Sequence, residues 1–224
     1  MPIYHELKAI FIHIPKTGGT SIEESLVTDT PHWKTVDEQH WYGNIESNEA
    51  HVKYSYELDH STMRYLKKNC KFYDNAYFSF AFVRNPYARL VSEFHHCKYG
   101  YSRFIRKAEF ETFSDFVMIL QKNFDYILKN EQKNHYLVSH YLPQYKFTHN
   151  YKDLLIVDFI GKLENIQEDW NVVCKKLMIE NEIAHSKKYA SPFEYKYEEY
   201  YTPELKEIVY QLYEKDFIYF RYEK

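Results

Sequence analysis

The chain has 224 residues, of which 27% are charged, and its formal net charge is −3 at pH 7. A chain of this size can bury a substantial core, and no linker rich in Pro, Gly or Ser divides it, so we expect one domain over residues 1–224. The basic residues are dispersed, which argues against a nucleic-acid partner. No stretch approaches the roughly 20 apolar residues that cross a membrane, so we expect no transmembrane segment.

The cysteine and histidine patterns suggest neither disulfides nor a metal. Cys70, Cys97 and Cys174 are odd in number and widely spaced, which favours a reducing compartment. The first residues, MPIYHELKAIFIHIP, are too few and too charged for a signal peptide, so we expect a cytoplasmic protein. The adjacent His95 and His96 have no Cys, Asp or His at a spacing that would complete a metal site, so we predict no metal.

A glycine-rich turn after a short strand is the most informative feature near the amino terminus. The segment FIHIPKTGGTSI, residues 11–22, joins a strand over 8–13 to the start of a helix. Gly18 and Gly19 let the backbone turn tightly against a ligand, and a helix N-terminus favours an anion. Lys16 adds a positive charge. The pattern predicts a bound phosphate or sulfate but not an ATP-type Walker A loop, in which the lysine follows the glycines.

A second anion motif follows the next strong strand. Residues 75–83, NAYFSFAFV, form a near-continuous apolar run that is typical of a buried parallel strand. Asn85 suits the N-cap and Pro86 the first position of the helix that follows. Arg84 then lies at the carboxyl end of a strand, where parallel sheets bind ligands, and Ser92 lies about two turns into the helix. A guanidinium and a hydroxyl can converge there on one phosphate.

The remaining predicted elements alternate along the chain. They are a short helix over 63–68, a helix over 113–129, a strand over 154–160, a helix opened by the capping pair Asn165 and Glu168, and a last helix opened by Thr202-Pro203-Glu204. This order predicts an α/β fold, with a doubly wound parallel sheet of the P-loop-like kind flanked by helices.

The two anion motifs together resemble the sulfotransferases that use 3′-phosphoadenosine 5′-phosphosulfate (PAPS), in particular the branch of heparan sulfate 2-O-sulfotransferases and bacterial relatives. The likeness rests on IPKTGGTS and VRNPYARLVSEF, and continues over 154–170 and from Tyr200 to the end. Tyr87-Ala88 stands where many relatives carry Trp-Asp, and Lys162 stands where Arg is common. The resemblance implies transfer of a sulfuryl group from PAPS to a hydroxyl of a carbohydrate or another acceptor.

The resemblance also assigns residues to the two ends of the cofactor. Residues of the first motif would hold the 5′-phosphosulfate: Lys16, Thr17, Gly18, Gly19, Thr20 and Ser21. Arg84 and Ser92 would hold the 3′-phosphate of PAPS and of its product, 3′,5′-bisphosphoadenosine (PAP). Lys188 matches a region where relatives carry basic residues near the cofactor, so it would assist at the 3′-phosphate.

Sulfuryl transfer also requires a base for the acceptor hydroxyl and positive charge at the departing phosphate. His60 resembles the histidine of a His-x-Thr element that bacterial members carry between the two motifs, and the pKa of histidine is near neutrality by type. We therefore take His60 as the base and Lys16 as the source of charge. His51, Glu23 and Glu24 are alternative bases, although acidic residues in the first turn of a helix are favourable without catalysis.

The sequence leaves the acceptor open among a polysaccharide, a small glycoside, a lipid and a protein tyrosine. Two other functions are also open. A P-loop-like nucleotide kinase or hydrolase would bind ATP with magnesium. A non-catalytic nucleotide- or glycan-binding module would keep Arg84 and Ser92 but would need no base.

Overall fold

The computed structural model describes residues 3–4, 6–26, 60–69, 74–99, 104–131, 138–183 and 196–224. The chain divides into two compact units, each built from two stretches: 1–83 with 146–188, and 84–145 with 189–224. The helices of the described residues are α1 (Gly19–Leu26), α2 (Met63–Asn69), α3 (Pro86–Lys98), α4 (Phe113–Lys129), α5 (Tyr145–Thr148), α6 (Ile166–Leu177) and α7 (Pro203–Phe220). None of these helices is long and apolar enough to span a bilayer.

The first unit contains a four-stranded sheet, with its strands in the order β1 (Ile3–Tyr4), β2 (Ala9–Ile12), β3 (Phe78–Val83) and β4 (Phe159–Lys162). β2 pairs with β3 and β3 with β4 in parallel, whereas β1 pairs with β2 in antiparallel fashion. The predicted α/β fold with a mostly parallel sheet flanked by helices is confirmed. The edge strand β1 was not predicted, because two residues carry no readable alternation.

Alternate residues of β2 and β3, whose side chains point to the same face of the sheet, contribute to the core of this unit. Phe11 and Phe80 are fully buried and belong to the same apolar cluster as Ile22 of α1 and Trp170 of α6. The Trp170 Nε1 donates a hydrogen bond to the Asn181 carbonyl at 2.7 Å. The Asn181 amide in turn donates to the carbonyl of Ser25, near the end of α1. α1 is therefore held in place by both packing and hydrogen bonds.

The strand predicted over 154–160 begins later than expected. It runs over Phe159–Lys162, and an isolated antiparallel bridge joins His149 to Leu155. The Asn150 side chain accepts hydrogen bonds from two backbone N–H groups of the intervening turn, those of Lys152 and Leu154. The first part of the predicted strand therefore belongs to this tight turn. Only the end of the predicted strand and the residues that follow it pair in the sheet.

The predicted capping pair of α6 is wrong, although the helix begins next to Asn165 as expected. The Asn165 side chain makes no capping hydrogen bond. A 3-10 helix, Leu163–Asn165, leads directly into α6 and gives Asn165 a φ of −118° and a ψ of 33°, away from the extended conformation of an N-cap. The Asp169 carboxylate accepts a hydrogen bond from the Lys162 N–H instead.

The second unit is built around α3, α4 and α7. α4 has the predicted bounds and begins with a capping box between Thr112 and Asp115. Asn85 caps α3 as predicted, since its side chain accepts hydrogen bonds from the N–H groups of Tyr87 and Ala88. Thr202 caps α7 through the N–H of Leu205. The same unit contains the two 3-10 helices Ser139–Tyr141 and Tyr197–Tyr200.

Candidate functional site

A tight, strained turn connects β2 to α1 in the first unit. Lys16 and Gly18 both have left-handed backbones, with φ of 68° and 81°. A left-handed conformation costs a lysine about 1–2 kcal/mol, and strain of this kind concentrates at ligand sites. Thr17 between them is fully buried, and its hydroxyl donates a hydrogen bond to the Ile14 carbonyl at 2.9 Å. The hydrogen bond from the Thr17 hydroxyl therefore helps to hold the turn in this conformation.

The two glycines of the turn are required by close packing. A Cβ atom on Gly19 would lie 2.1 Å from the imidazole ring of His13. A Cβ atom on Gly18 would lie 2.7 Å from Cδ1 of Leu163, in addition to the strain of its left-handed backbone. Glycine is therefore needed at both positions, at Gly18 for conformation and space and at Gly19 for space.

His13 is tied to α1 through a buried carboxylate. Its Nδ1 lies 2.8 Å from Oε1 of Glu23, which is only 7% exposed. Because an ionised carboxylate only accepts, the His13 Nδ1 carries the proton of this hydrogen bond. Glu23, an alternative base from the sequence, is thus engaged with His13, while Glu24 lies half-buried on the same helix. The sequence offers no pattern that predicts the His13–Glu23 pair.

His60 lies beside the same turn, in front of α2. Its Nδ1 is 3.1 Å from the carbonyl oxygen of His13, 47 positions away in the sequence. The two rings meet edge to face, with centroids 4.6 Å apart and an interplanar angle of 88°. A carbonyl only accepts, so the Nδ1 of His60 carries a proton and the neutral ring has its lone pair on Nε2. The predicted base and the predicted anion loop therefore come together in one unit.

The predicted residues Arg84 and Ser92 both belong to the second unit. The Arg84 N–H donates to Oε1 of Gln144 at 2.9 Å, and the Gln144 amide donates to the Arg84 carbonyl at 2.8 Å. Gln144 is fully buried, and its own N–H donates to Asp216 at 2.7 Å. Ser92 lies half-buried on α3. Gln144 and Asp216 thus fix the Arg84 backbone, a role that no sequence motif signals.

The carboxyl group of Asp216 is fully buried at the base of this network. Burial raises the pKa of Asp216 to about 6, against the opposing effect of its hydrogen bonds from the N–H groups of Tyr145 and Gln144. Arg89, the second arginine of the motif, is only 4% exposed and donates to the carbonyls of His140 and Leu142 at 3.0 Å each. Arg89 is therefore a structural residue.

Two site residues named from the sequence lie outside the described part of the chain. They are the proposed cofactor residue Lys188 and the alternative base His51. Their roles stay predictions.

Comparison with known proteins identifies the family. The model of the sulfotransferase family matches residues 3–223, a range that includes the strained turn, His60, Arg84 and Ser92. No curated protein and no solved structure matches the chain. Family membership indicates sulfuryl transfer as the general activity. Because the family model matches nearly the whole chain, this protein belongs to the sulfotransferase family.

Proposed function

We propose that this protein transfers a sulfuryl group from PAPS to a hydroxyl of an acceptor, with a carbohydrate as the acceptor that the resemblance favours. One observation carries the proposal. The Nδ1 of His60 is hydrogen-bonded to the carbonyl of His13, beside the turn that carries Lys16. The lone pair of the neutral His60 ring is then on Nε2, next to the loop that we expect to bind the anion. A base and a phosphosulfate site are the two parts that the reaction needs.

The donor would be held at its two phosphate ends. Residues Lys16 to Ser21 span the turn and the N-terminus of α1, where backbone N–H groups and the helix dipole favour an anion such as the 5′-phosphosulfate. Arg84 and Ser92, with Lys188, would bind the 3′-phosphate. Gln144 supports this role of Arg84, because its hydrogen bonds fix the Arg84 backbone on both sides.

In the transfer step, the acceptor oxygen attacks the sulfur as Nε2 of His60 takes the hydroxyl proton. A new S–O bond forms, and the bond between sulfur and the bridging oxygen of the 5′-phosphate breaks. That oxygen leaves with PAP, and the charge of Lys16 stabilises it as it becomes more negative. The products are PAP, the sulfated acceptor and a protonated His60.

Selective binding of PAP tests the donor assignment. PAP should raise the melting temperature by about 5–10 °C at 100 times its Kd, where binding adds ~2.7 kcal/mol, while ADP should raise it much less. Arg84→Ala should abolish the preference, because it removes a charge-assisted contact to the 3′-phosphate. Arg106→Ala is the matched control, since Arg106 is a surface residue whose side chain is 74% exposed. Equal shifts from PAP and ADP would contradict the assignment.

Turnover separates this function from the alternatives. Incubation with sulfur-labelled PAPS and a cell extract, followed by fractionation of the labelled product, should yield a labelled acceptor whose chemistry can be determined. PAP binding without any labelled product would instead favour a non-catalytic binding module. Binding of ATP that requires magnesium would favour the kinase-like alternative.

A further inference from the structure

The second unit contains a group of three side chains that resembles a metal site. Glu93 and His96 belong to α3, and His140 belongs to the 3-10 helix Ser139–Tyr141. One oxygen of Glu93 and one ring nitrogen of each histidine all lie within 4.8 Å of one another. None of the three has a part in the transfer step proposed above.

Glu93 is the centre of this group. Its Oε2 lies 2.8 Å from Nδ1 of His140, and its Oε1 lies 3.6 Å from Nδ1 of His96. The side chain of Glu93 is only 1% exposed. A carboxylate that is buried and ionised requires a positive partner, which can be a protonated imidazole or a metal ion.

The surrounding contacts hold the three groups in place. The Glu-x-x-His spacing puts Glu93 and His96 on one face of α3. Arg89, from the same helix, donates to the backbone carbonyl of His140 at 3.0 Å and so brings the third ligand to that face. The thiol of Cys97 donates to Oε1 of Glu93 at 3.4 Å, an outer contact of the kind that orients metal-binding carboxylates.

We propose that Glu93, His96 and His140 form a zinc-binding site. Two imidazole nitrogens and one carboxylate oxygen suit Zn²⁺, whereas Mg²⁺ and Ca²⁺ prefer oxygen ligands alone. Tetrahedral zinc bonds of about 2.0–2.1 Å require ligand atoms about 3.3 Å apart. Each histidine nitrogen lies near that distance from one of the two carboxylate oxygens: Nδ1 of His140 is 2.8 Å from Oε2 of Glu93, and Nδ1 of His96 is 3.6 Å from Oε1.

On binding, the zinc ion would replace the proton that His140 shares with Glu93, and a fourth position would stay open for water or another ligand. A zinc ion here would contradict the prediction of no metal. The sequence did not reveal this group, because His140 lies 47 positions beyond Glu93 and only the fold brings them together.

Zinc titration of the whole chain tests the proposal. After treatment with EDTA and dialysis, the protein should bind one Zn²⁺ per chain by calorimetry, with a rise in melting temperature, and Co²⁺ should give the visible absorption of a tetrahedral site. His140→Ala and His96→Ala should each weaken zinc binding by about 100-fold or more, since loss of even an outer partner costs about 10–100-fold. His95→Ala is the matched control, because the neighbouring His95 bonds to the Tyr200 hydroxyl at 2.9 Å and should leave zinc affinity unchanged.

His96→Ala keeps the test valid if loss of His140 disturbs folding, since the side chain of His96 is 24% exposed and its removal should leave the far-UV circular dichroism unchanged. The proposal is overturned if zinc fails to bind. It is also overturned if the wild type, His96→Ala and His140→Ala bind zinc with equal affinity, because the ion would then lie elsewhere. If Mg²⁺ stabilised the protein as much as Zn²⁺ does, the ion would not be bound by two imidazole nitrogens and one carboxylate oxygen, and the proposal would be contradicted.

Discussion

At the scale of single residues, the hydrogen bond from His60 to the His13 carbonyl decides which nitrogen of His60 can act as a base. His60→Ala should slow sulfuryl transfer by about 10²–10⁴, the usual cost of losing a positioned base. PAP affinity should stay within about threefold, a difference below ~0.7 kcal/mol, because the anion loop is unchanged. Single-turnover rates and PAP binding measured on the same preparation check both parts.

The variant His60→Gln separates chemistry from structure at this position. Glutamine can donate to the His13 carbonyl as His60 does at 3.1 Å, but it has no basic nitrogen. It should therefore be as slow as alanine. A glutamine variant with the wild-type rate would show that His60 only supports the loop, and Glu24 and His51 would then become the leading bases.

Gly19 tests the packing of the turn. Alanine in a helix is normally more stable than glycine by about 0.5–1 kcal/mol, but a Cβ atom at Gly19 would lie 2.1 Å from the His13 ring. Overpacking of this kind costs about 1–3 kcal/mol, so Gly19→Ala should lower the free energy of unfolding measured in urea. Combining it with His13→Ala makes room for the added methyl group, so the two changes together should cost less than the sum of their separate effects. Additive effects would show that the clash is not with His13.

At the scale of elements, the start of α3 depends on the Asn85 cap. Its side-chain oxygen accepts hydrogen bonds from the N–H of Tyr87 at 2.9 Å and that of Ala88 at 3.3 Å. Asn85→Ala should lower the free energy of unfolding by about 0.5–2 kcal/mol. Asn85→Asp keeps an oxygen acceptor and should retain most of the stability. Equal losses in the two variants would show that the acceptor oxygen does not account for the contribution of Asn85.

Asp216 of α7, which accepts hydrogen bonds from the N–H groups of residues 144–145, should make the free energy of unfolding depend on pH. Burial raises the folded-state pKa of Asp216 from 3.8 to about 6, although its hydrogen bonds and the Arg89 guanidinium act to lower it. The unfolded chain therefore releases this proton at lower pH than the folded chain does. The contribution of Asp216 to stability is full below about pH 4 and declines as pH rises to about 6.

Asp216→Asn isolates this contribution. Asparagine cannot ionise, so the stability of the wild type relative to Asp216→Asn should decrease between pH 4 and pH 6.5. Denaturant unfolding of both proteins at several pH values measures this difference. The loss of one of the two backbone hydrogen bonds adds a constant offset, because Asn keeps only one acceptor oxygen. A difference that is flat or that grows with pH would contradict the raised pKa.

At the scale of the whole molecule, sulfuryl transfer should not depend on magnesium. If Lys16 and the N-terminus of α1 stabilise the developing charge, no Mg²⁺ is needed at the nucleotide oxygens. The rate of transfer in excess EDTA should match the rate without it. The proposed zinc site leaves this expectation intact, since a shared proton already links Glu93 to His140 at 2.8 Å. Activity that disappears with EDTA and returns with magnesium would favour the kinase-like alternative.

The turn between β2 and α1, the caps of α3 and α7, and the bounds of α4 were predictable from the sequence, because each depends on residues within a few positions of one another. Gly18 and Gly19 after a strand, or Asn85 and Pro86 before a helix, act through local backbone geometry. The family was recognisable for the same reason. The late start of β4 and the unused cap at Asn165 were not, since a turn and a 3-10 helix intervened.

Tertiary structure alone decided which distant side chains meet. It joined His60 to the His13 carbonyl, Gln144 to Arg84, and His140 to Glu93 across 47 to 60 positions. It also turned Arg89 inward while Arg84, five positions earlier, stayed half-buried. The physical reason is that hydrogen-bonded pairs across the fold leave no periodicity or spacing in the sequence, because the intervening chain can have any length that lets the two groups reach each other.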